Sequence, residues 1–280
     1  MHGAFEITVV VDDRVARGAL LEEHGFSLHV KAPDWSLLLD SGQGHALEEN
    51  AASLGIDLQA LDAAILSHGH YDHSGGLDRL PLRERSIPVF LHPGAFAPRY
   101  RHCDTEPHKP VGMPGRVNDF LSTLPNPVRP TVAPAQVLPG AWVTGPIPRK
   151  TSYEDAGGPF FKDAACSEAD LIEDDQALWL ESSEGIVVAL GCAHAGVINT
   201  LDYISGLTGQ SRICAVIGGM HLQSADETRL SETIQGLKSH QVNLVAPCHC
   251  TGTRAMASLQ DALPGVFVPC GGGSRFTFAL

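Results

Sequence analysis

Ser67-His68-Gly69-His70-Tyr71-Asp72-His73-Ser74-Gly75-Gly76 places four potential metal ligands within six positions, directly after the apolar run Ala63-Ala64-Ile65-Leu66. The apolar run predicts a strand. Because side chains alternate along an extended backbone, His68 and His70 lie on one side and can share a metal. Asp72 and His73 come where the chain turns, so they can reach a second metal nearby. A histidine patch on a surface loop is the alternative, but it does not account for the preceding strand or the following Gly-Gly turn.

The type of ligand narrows the choice of metal. Imidazoles with a single carboxylate suit zinc, iron or manganese better than calcium or magnesium, which prefer shells made of oxygen. We therefore expect two divalent transition metals, with zinc favoured and iron or manganese as alternatives.

The composition is that of an acidic globular protein with a sizeable core. The chain has 280 residues, 43% of them hydrophobic, and its formal net charge is -13. This length fits one domain with an insertion. A nucleic-acid partner normally requires a basic surface, so we expect none. No apolar stretch approaches the ~20 residues of a membrane span, and the first residues do not resemble a signal peptide, so we expect no membrane partner.

Seven cysteines are scattered along the chain. An odd number without regular spacing favours reduced thiols over a disulfide framework. We therefore expect a cytoplasmic protein. The oligomeric state is left open, with a homo-oligomer as one outcome.

Apolar patterns divide the chain into two halves. They predict regular elements in this order: a strand at 5–11, a hairpin at 25–40, a helix at 46–54 and a strand at 63–67, then strands at 176–181, 185–190, 213–217 and 242–246 with helices at 197–207, 224–238 and after 251. Residues 101–150 hold ten of the 19 prolines, which excludes long regular elements there; we predict only a short helix at 117–124. The prediction is a single domain over 1–280, with 95–165 as an inserted loop or cap region.

Three of the later strands each end in a histidine: His194 in Gly-Cys-Ala-His-Ala-Gly, His221 in Gly-Gly-Met-His-Leu and His249 in Pro-Cys-His-Cys-Thr-Gly. One such residue alone is more simply explained as a buried, hydrogen-bonded core histidine. Ligand sites in layered α/β structures collect at strand ends, however, so the set favours a functional site. Backbone N–H groups at the start of the helix after Gly196 could add an anion site.

The segment from His68 to His73 resembles the His-x-His-x-Asp-His signature of the metallo-β-lactamase superfamily. This resemblance implies an α/β fold, a four-layer αββα sandwich with, here, a proline-rich insertion. It also implies that Asp40 orients a site histidine. The metal ligands that it implies are His68, His70 and His194 for the first metal and Asp72, His73 and His249 for the second.

The third ligand of the first metal stays open at this point. Cys192 is an alternative to His194, because a thiolate is a good zinc ligand. Relatives often carry a Gly-His-Thr-x-Gly segment that this chain lacks, and the acidic run Glu173-Asp174-Asp175 could substitute for it or be a solvated loop.

The four histidine-bearing motifs together resemble one branch of the superfamily, which includes the 7,8-dihydropterin-6-yl-methyl-4-(β-D-ribofuranosyl)aminobenzene 5'-phosphate synthases. Our first hypothesis is a dinuclear metal-dependent hydrolase of a small ester, thioester, lactone or phosphoester. The alternative is a transferase of this synthase type that releases pyrophosphate, and the third is a non-catalytic ligand-binding module. The expected partner is a small, anionic substrate, and Asp72 and His221 are the predicted catalytic residues.

Overall fold

Two β-sheets lie face to face, and helices cover the outer face of each. The computed structural model describes residues 3–105, 107–125, 128–210 and 212–280. Apolar side chains from both sheets, among them Ile7, Leu28, Leu180 and Val187, pack between the sheets. Two further apolar clusters lie between each sheet and its helices. The predicted four-layer αββα sandwich is confirmed.

The alternation of side chains along the strands explains this layering. In the first strand, Ile7 and Val9 face the second sheet, whereas Val10 faces the helices. In the second sheet, Val187 and Ala189 point inward and Val188 points outward. A strand with apolar residues on both faces must be covered on both, and stacking two such sheets inside two helical layers achieves this.

The first sheet contains the strands β1 (Ala4–Val11), β2 (Ser27–Lys31), β3 (Ser36–Leu39), β4 (Ala63–Ile65), β5 (Val89–Leu91), β8 (Arg129–Pro130) and β16 (Arg275–Ala279). Their order in the sheet is β16-β1-β2-β3-β4-β5-β8. The strands from β16 to β3 are antiparallel, and those from β3 to β8 are parallel.

The second sheet contains the strands β9 (Ala135–Leu138), β10 (Ala141–Val143), β12 (Leu178–Ser182), β13 (Gly185–Leu190), β14 (Ile213–Gly219) and β15 (Leu244–Cys248). Their order in the sheet is β15-β14-β13-β12-β10-β9. The last three are parallel, so their carboxyl ends meet at one edge of the sheet.

The helices are α1 (Leu47–Leu54), α2 (Tyr71–Ser74), α3 (Leu82–Arg85), α4 (Gly115–Ser122), α5 (Val197–Thr208), α6 (Glu227–Ser239) and α7 (Thr253–Ala262). Gly55 ends α1 in a left-handed conformation with φ 73°, as glycine at this position predicts. Helix α6 begins later than the predicted Ser224 because the Asp226 side chain caps it, accepting from the Arg229 N–H at 2.7 Å. None of the helices in the described part of the chain has the length and apolar content that crossing a bilayer would need.

The proline-rich region contributes to all three sheets. It supplies β8 to the first sheet and β9 and β10 to the second, and prolines at the strand ends keep these elements short. A small third sheet, β11-β6-β7, is formed by Phe160–Phe161, Tyr100–Arg101 and Lys109–Pro110. Within residues 95–165, the strands β8, β9 and β10 thus belong to the two main sheets, whereas the third sheet is separate from them. The single domain over 1–280 and the role of 95–165 as an inserted loop or cap region stay predictions.

Candidate metal centre

The ligand-rich segment leaves β4 extended and then turns into α2. His70 is still extended, with φ -71° and ψ 149°, and α2 starts at the next residue. His68 Nε2 consequently lies 2.9 Å from His70 Nδ1. Gly69 separates them because a Cβ there would approach Ala95 O to 2.2 Å. The first turn of α2 then places Asp72 and His73, both buried, beside the two rings.

Four histidines have one ring nitrogen fixed by another group of the protein. His68 Nδ1 lies 2.9 Å from Ser67 Oγ, and His73 Nδ1 lies 2.7 Å from Asp40 Oδ2. His194 Nδ1 lies 2.7 Å from Ala156 O, and His249 Nδ1 lies 2.6 Å from Asp13 Oδ1. Such outer contacts fix the tautomer and orientation of metal-binding imidazoles. The Nε2 atom of each ring is left for the site.

These Nε2 atoms converge around Cys192. One group of potential ligand atoms comes from His68, Cys192 and His194, and a second comes from His73, Cys192 and His249; within each group the atoms lie within 4.8 Å of one another. His73 Nε2 is 3.2 Å from His249 Nε2 and 3.1 Å from Cys192 Sγ. The structure thus brings both His194 and Cys192 to the site, where the sequence left a choice between them.

The donor set fits transition metals. His70 Nε2 and His194 Nε2 are buried without a hydrogen-bond partner, which is unfavourable unless another ligand completes them. Imidazole nitrogens and a thiol are donors that zinc accepts readily. The described residues could therefore hold one metal between His68, Cys192 and His194 and another between His73, Cys192 and His249. Neither group includes His70 or Asp72, so their assignment as ligands stays a prediction.

Burial controls the charge of these histidines. It holds the pKa of His68, His70 and His194 well below the usual value, so their lone pairs stay free for a metal. Burial also acts to lower the pKa of His249, but Cys250, Asp13 and Asp72 raise it to about 10. The negative groups around His249 favour a positive charge there, which a metal ion can supply.

The acidic run before β12 supports the ligand loops from behind. Asp174 Oδ2 accepts a hydrogen bond from Gly69 N–H at 2.8 Å, and Asp174 also pairs with the buried Arg99. Asp175 Oδ2 accepts from Ala195 N–H at 2.7 Å, and burial raises the pKa of Asp175 to about 7. Both carboxylates are buried, whereas Glu173 is exposed, so the solvated alternative is wrong for Asp174 and Asp175. Neither belongs to a candidate ligand group among the described residues.

The two predicted catalytic residues both border the site. Asp72 Oδ2 lies 3.7 Å from His249 Nε2. Burial acts to raise the pKa of Asp72, but the neighbouring His73 and His249 lower this pKa by more, so its net shift is downward. The His221 ring centroid lies 4.3 Å from that of His194, and His221 Nδ1 is buried without a partner. Gly157 gives this ring room, since a Cβ there would meet its Cδ2 at 2.0 Å.

Sequence reasoning did not find Asp13 and His24. His24 Nδ1 lies 2.8 Å from Asp13 Oδ2, and His24 Nε2 lies 3.4 Å from Asp72 Oδ2. Asp13 follows closely after β1, so the rule that strand ends carry ligands could have identified it. His24 lies in a loop and gives no comparable signal.

The anion site predicted at the start of α5 is wrong for this chain. Glu154 occupies that helix end: its two carboxylate oxygens accept hydrogen bonds from Ile198 N–H and Asn199 N–H, each at 2.8 Å. The carboxylate satisfies these two N–H groups and complements the helix dipole, so it takes the place that a substrate anion would need.

Four of the eight non-glycine residues with a positive φ in the described part of the chain lie at the site. Asp40, Ala193, His221 and His249 have positive φ angles of 59°, 55°, 44° and 49°. Residues other than glycine rarely adopt this conformation, and it persists where the surrounding structure enforces it, often at functional sites. Two of the four belong to the ligand set, since Ala193 directly precedes His194 and His249 is itself a proposed ligand, and the strain serves to aim these side chains.

A cavity of about 240 Å³ opens over the converging ligands. His70, Asp72, Cys192, His221 and His249 contribute to its lining. The third sheet supplies a further part of the wall, with Arg101, Lys109 and Phe160. The site therefore has room for a small molecule in contact with both the ligand cluster and the third sheet.

Comparison with known proteins agrees with this geometry. The sequence profile of the metallo-beta-lactamase superfamily matches residues 25–164. The 7,8-dihydropterin-6-methyl-4-(beta-D-ribofuranosyl)-aminobenzene-5'-phosphate synthase of Methanocaldococcus jannaschii is 31% identical over 74% of this chain and 71% of its own length. The uncharacterized protein MJ0448 of the same organism is 28% identical over 90% of this chain and 93% of its own length.

Among solved structures, Tm1679, described as a metal-dependent hydrolase of the beta-lactamase superfamily, is 29% identical and superposes with a TM-score of 0.82. The match covers 97% of this chain and 98% of Tm1679. The likeness extends over both halves of the chain, including the strands that carry the later histidines.

Proposed function

Because the chain belongs to the metallo-β-lactamase superfamily, we propose that it is a metal-dependent hydrolase acting on a small ester, thioester, lactone or phosphoester. The observation that carries the proposal is the convergence of four imidazoles whose outer nitrogens are fixed by Ser67, Asp40, Ala156 and Asp13. A structural histidine does not require its second nitrogen to face three other histidines and a thiol. Tm1679, described as a hydrolase, supports the same reaction type.

We assign two metals, with zinc best suited to the donors. His68, His70 and His194 would hold the first, and Asp72, His73 and His249 the second, with Cys192 between them. When bound, such metals supply Lewis acidity, which polarises a carbonyl or phosphoryl group and lowers the pKa of water.

The side chains of the protein would handle the protons of the reaction. Asp72 is ionised because its pKa is lowered by the histidines around it, so it can accept a proton from the attacking water. Water adds to the carbonyl or phosphoryl centre, and the bond to the leaving atom breaks, which is oxygen in an ester, lactone or phosphoester and sulfur in a thioester. His221 borders the cavity and would donate a proton to this leaving atom.

A second candidate function is transfer with release of pyrophosphate, as in a dihydropterin-type synthase. The relative that is 31% identical carries this name, and this favours the alternative. In such a reaction the metals would stabilise the leaving phosphates, and water would not be the nucleophile.

The reduced state of the cysteines supports a cytoplasmic location. All seven are free, including the buried Cys192, Cys248 and Cys250 close to the site. Free thiols persist where the cell keeps them reduced.

The first test measures metal and turnover together. Protein purified without chelator should contain up to two transition metals per chain by elemental analysis and should hydrolyse at least one member of a panel of aryl esters, thioesters, lactones and aryl phosphates. His68→Ala and His249→Ala should each lower metal content and abolish turnover. His45→Ala is the matched control, since His45 is exposed. Protein that neither contains nor takes up metal contradicts the proposal.

The second test separates the two reaction types. A hydrolase turns over single substrates and releases no pyrophosphate. Pyrophosphate that appears only when a pterin pyrophosphate and an aromatic amine or acid acceptor are both present, with no hydrolysis of the panel, would establish the transferase instead.

A further inference from the structure

Three residues of the third sheet form a row across its strands. Phe160 on β11 lies directly opposite Arg101 on β6, and Arg101 lies directly opposite Lys109 on β7. Directly opposed residues of antiparallel strands project from the same face of a sheet. Phe160, Arg101 and Lys109 all line the cavity over the metal centre, so this face is the one that looks into the site. We call these residues the cationic row.

The two cations of the row have no anionic partner in the described part of the chain. Neither appears in an ion pair with a described carboxylate within 4.0 Å, whereas six other arginines and lysines do. Both are exposed, and like charges directly opposite each other destabilise a sheet. In a chain with a net charge of -13, these two cations without a described anionic partner lie side by side at the cavity wall, and this placement points to a function.

The row is attached to the metal centre at both ends. The Phe160 ring centroid lies 4.9 Å from that of His70 and 5.4 Å from that of His194. At the other end, Lys109 Nζ lies 3.0 Å from the hydroxyl of Tyr71. Tyr71 directly precedes the proposed ligand Asp72 in the sequence. The backbone after β7 continues the connection, since Tyr71 N–H donates to Val111 O at 3.0 Å. The row is thus held at a fixed place beside the ligands.

The helix end that the sequence predicted as the anion site is already occupied by a carboxylate of the protein. The N-terminus of α5 is occupied by Glu154, and the carboxylates of Asp13, Asp72 and Asp175 lie around the ligand cluster. Outside the metals, Arg101 and Lys109 are the positive groups that line the described cavity, together with histidines.

We propose that the cationic row binds the anionic group of the substrate, a phosphate monoester or a carboxylate, while the Phe160 ring packs against the adjoining ring or apolar part. The inference rests on the proposed function, since it selects within the substrate classes given there. The planar guanidinium of Arg101 can bind two oxygens at once, and Lys109 adds a point charge. The substrate class is then a small ester that carries a separate anionic group several ångströms from the bond that breaks.

Ligand binding by the metal-loaded protein tests the inference without requiring turnover. Phenyl phosphate, benzoate and benzyl alcohol are titrated calorimetrically into wild-type protein and into Arg101→Gln, Lys109→Gln and the double variant, at equal measured metal content. Each single change should weaken binding of the recognised anion by about 5- to 30-fold, the usual loss for one charge-assisted hydrogen bond. The double variant should lose more, and benzyl alcohol should bind all four proteins alike.

Arg129→Gln is the matched control, because Arg129 is an exposed arginine on the short strand β8 and does not line the cavity. A loss confined to phenyl phosphate identifies phosphate as the recognised group, and a loss confined to benzoate identifies carboxylate. The inference is overturned if the double variant binds both anions like wild type, or if wild type binds neither.

The outcomes separate this inference from the proposed function. Anion binding that depends on Arg101 and Lys109, in a protein that hydrolyses nothing in the panel, contradicts the hydrolase proposal and leaves the row in place. If the wild-type protein hydrolyses a member of the panel and the double variant keeps the wild-type affinity for both anions, only the proposed anion-binding role of the cationic row is contradicted.

Discussion

His221 has a ring position that differs from those of the four fixed histidines. Its Nδ1 is buried and has no partner, whereas His68, His73, His194 and His249 each have one nitrogen held. Its backbone is left-handed at φ 44°, so the turn is enforced against a local cost. A ring that borders both His194 and the cavity, and that is not fixed from behind, is suited to exchanging a proton with a bound molecule.

We expect His221→Ala to keep both metals and to lower turnover by about 10²–10⁴-fold, the usual contribution of general acid–base catalysis. Elemental analysis and steady-state kinetics on the same preparation give the two values. His240→Ala is the control, because His240 pairs with Asp202 away from the cavity. Loss of metal would make His221 a ligand, and full turnover would make it structural; either result contradicts the catalytic assignment.

At the scale of single elements, strand β2 carries a buried histidine outside the site. His29 lies opposite Thr8 on β1 and Leu38 on β3. Burial, with Lys31 and Arg275 adding to it, lowers the pKa of His29 to about 4. His29 therefore stays neutral in the folded protein at pH values where the same side chain, in the unfolded chain with a pKa near 6.5, takes up a proton.

The sign of the pH dependence follows from this difference. The unfolded state binds more protons below pH 6.5, so the stability associated with neutral His29 is present above that pH and is lost as the pH falls toward 4. Between pH 7.5 and 5.0, wild type should lose about 2 kcal/mol more of its unfolding free energy than His29→Gln does. Urea unfolding at both pH values measures the loss, with His45→Gln as the exposed control. Equal losses in wild type and His29→Gln would contradict the expectation.

The elements that could be predicted from the sequence are those set by local pattern. The strand before His68, the helix ending at Gly55 and the strands that lead to His194, His221 and His249 follow from apolar periodicity and turn residues. The convergence of the histidines could be expected for the same reason, since strand ends in a layered α/β fold meet at one edge.

The remainder depends on contacts between distant residues. Asp174 reaches Gly69 across 105 positions, and Asp13 reaches His249 across 236; no local signal shows such pairs. The third sheet consists of two-residue strands, too short for any alternation to appear in the sequence. For this reason the cationic row became visible only in the folded chain.

At the scale of the whole molecule, the candidate metal centre takes side chains from both halves of the sandwich. His68 and His73 follow β4 of the first sheet, whereas His194 and His249 follow β13 and β15 of the second. Each proposed metal would take ligands from both sheets, so it would bind the folded chain far better than the unfolded one. Metal binding and folding are then linked.

Removal of the metals should therefore lower global stability. With free metal at about 100 times its dissociation constant, one site adds about 2.7 kcal/mol to the unfolding free energy. Urea unfolding of metal-loaded and chelator-treated protein, with restoration by added zinc, measures the change. An unchanged midpoint after complete removal of metal would contradict a metal centre shared by the two sheets.

Because the ligands are divided between the two sheets, they are synthesised at different times during translation. His249 is made roughly 180 residues after His73, which at about 5–20 residues per second takes about 10–35 s. Throughout this interval the nascent chain carries the amino-terminal ligands without those that complete them. Tight binding of the proposed metals would have to wait until β15 has been made and has paired with β14, so the protein would acquire them at the end of translation or after it.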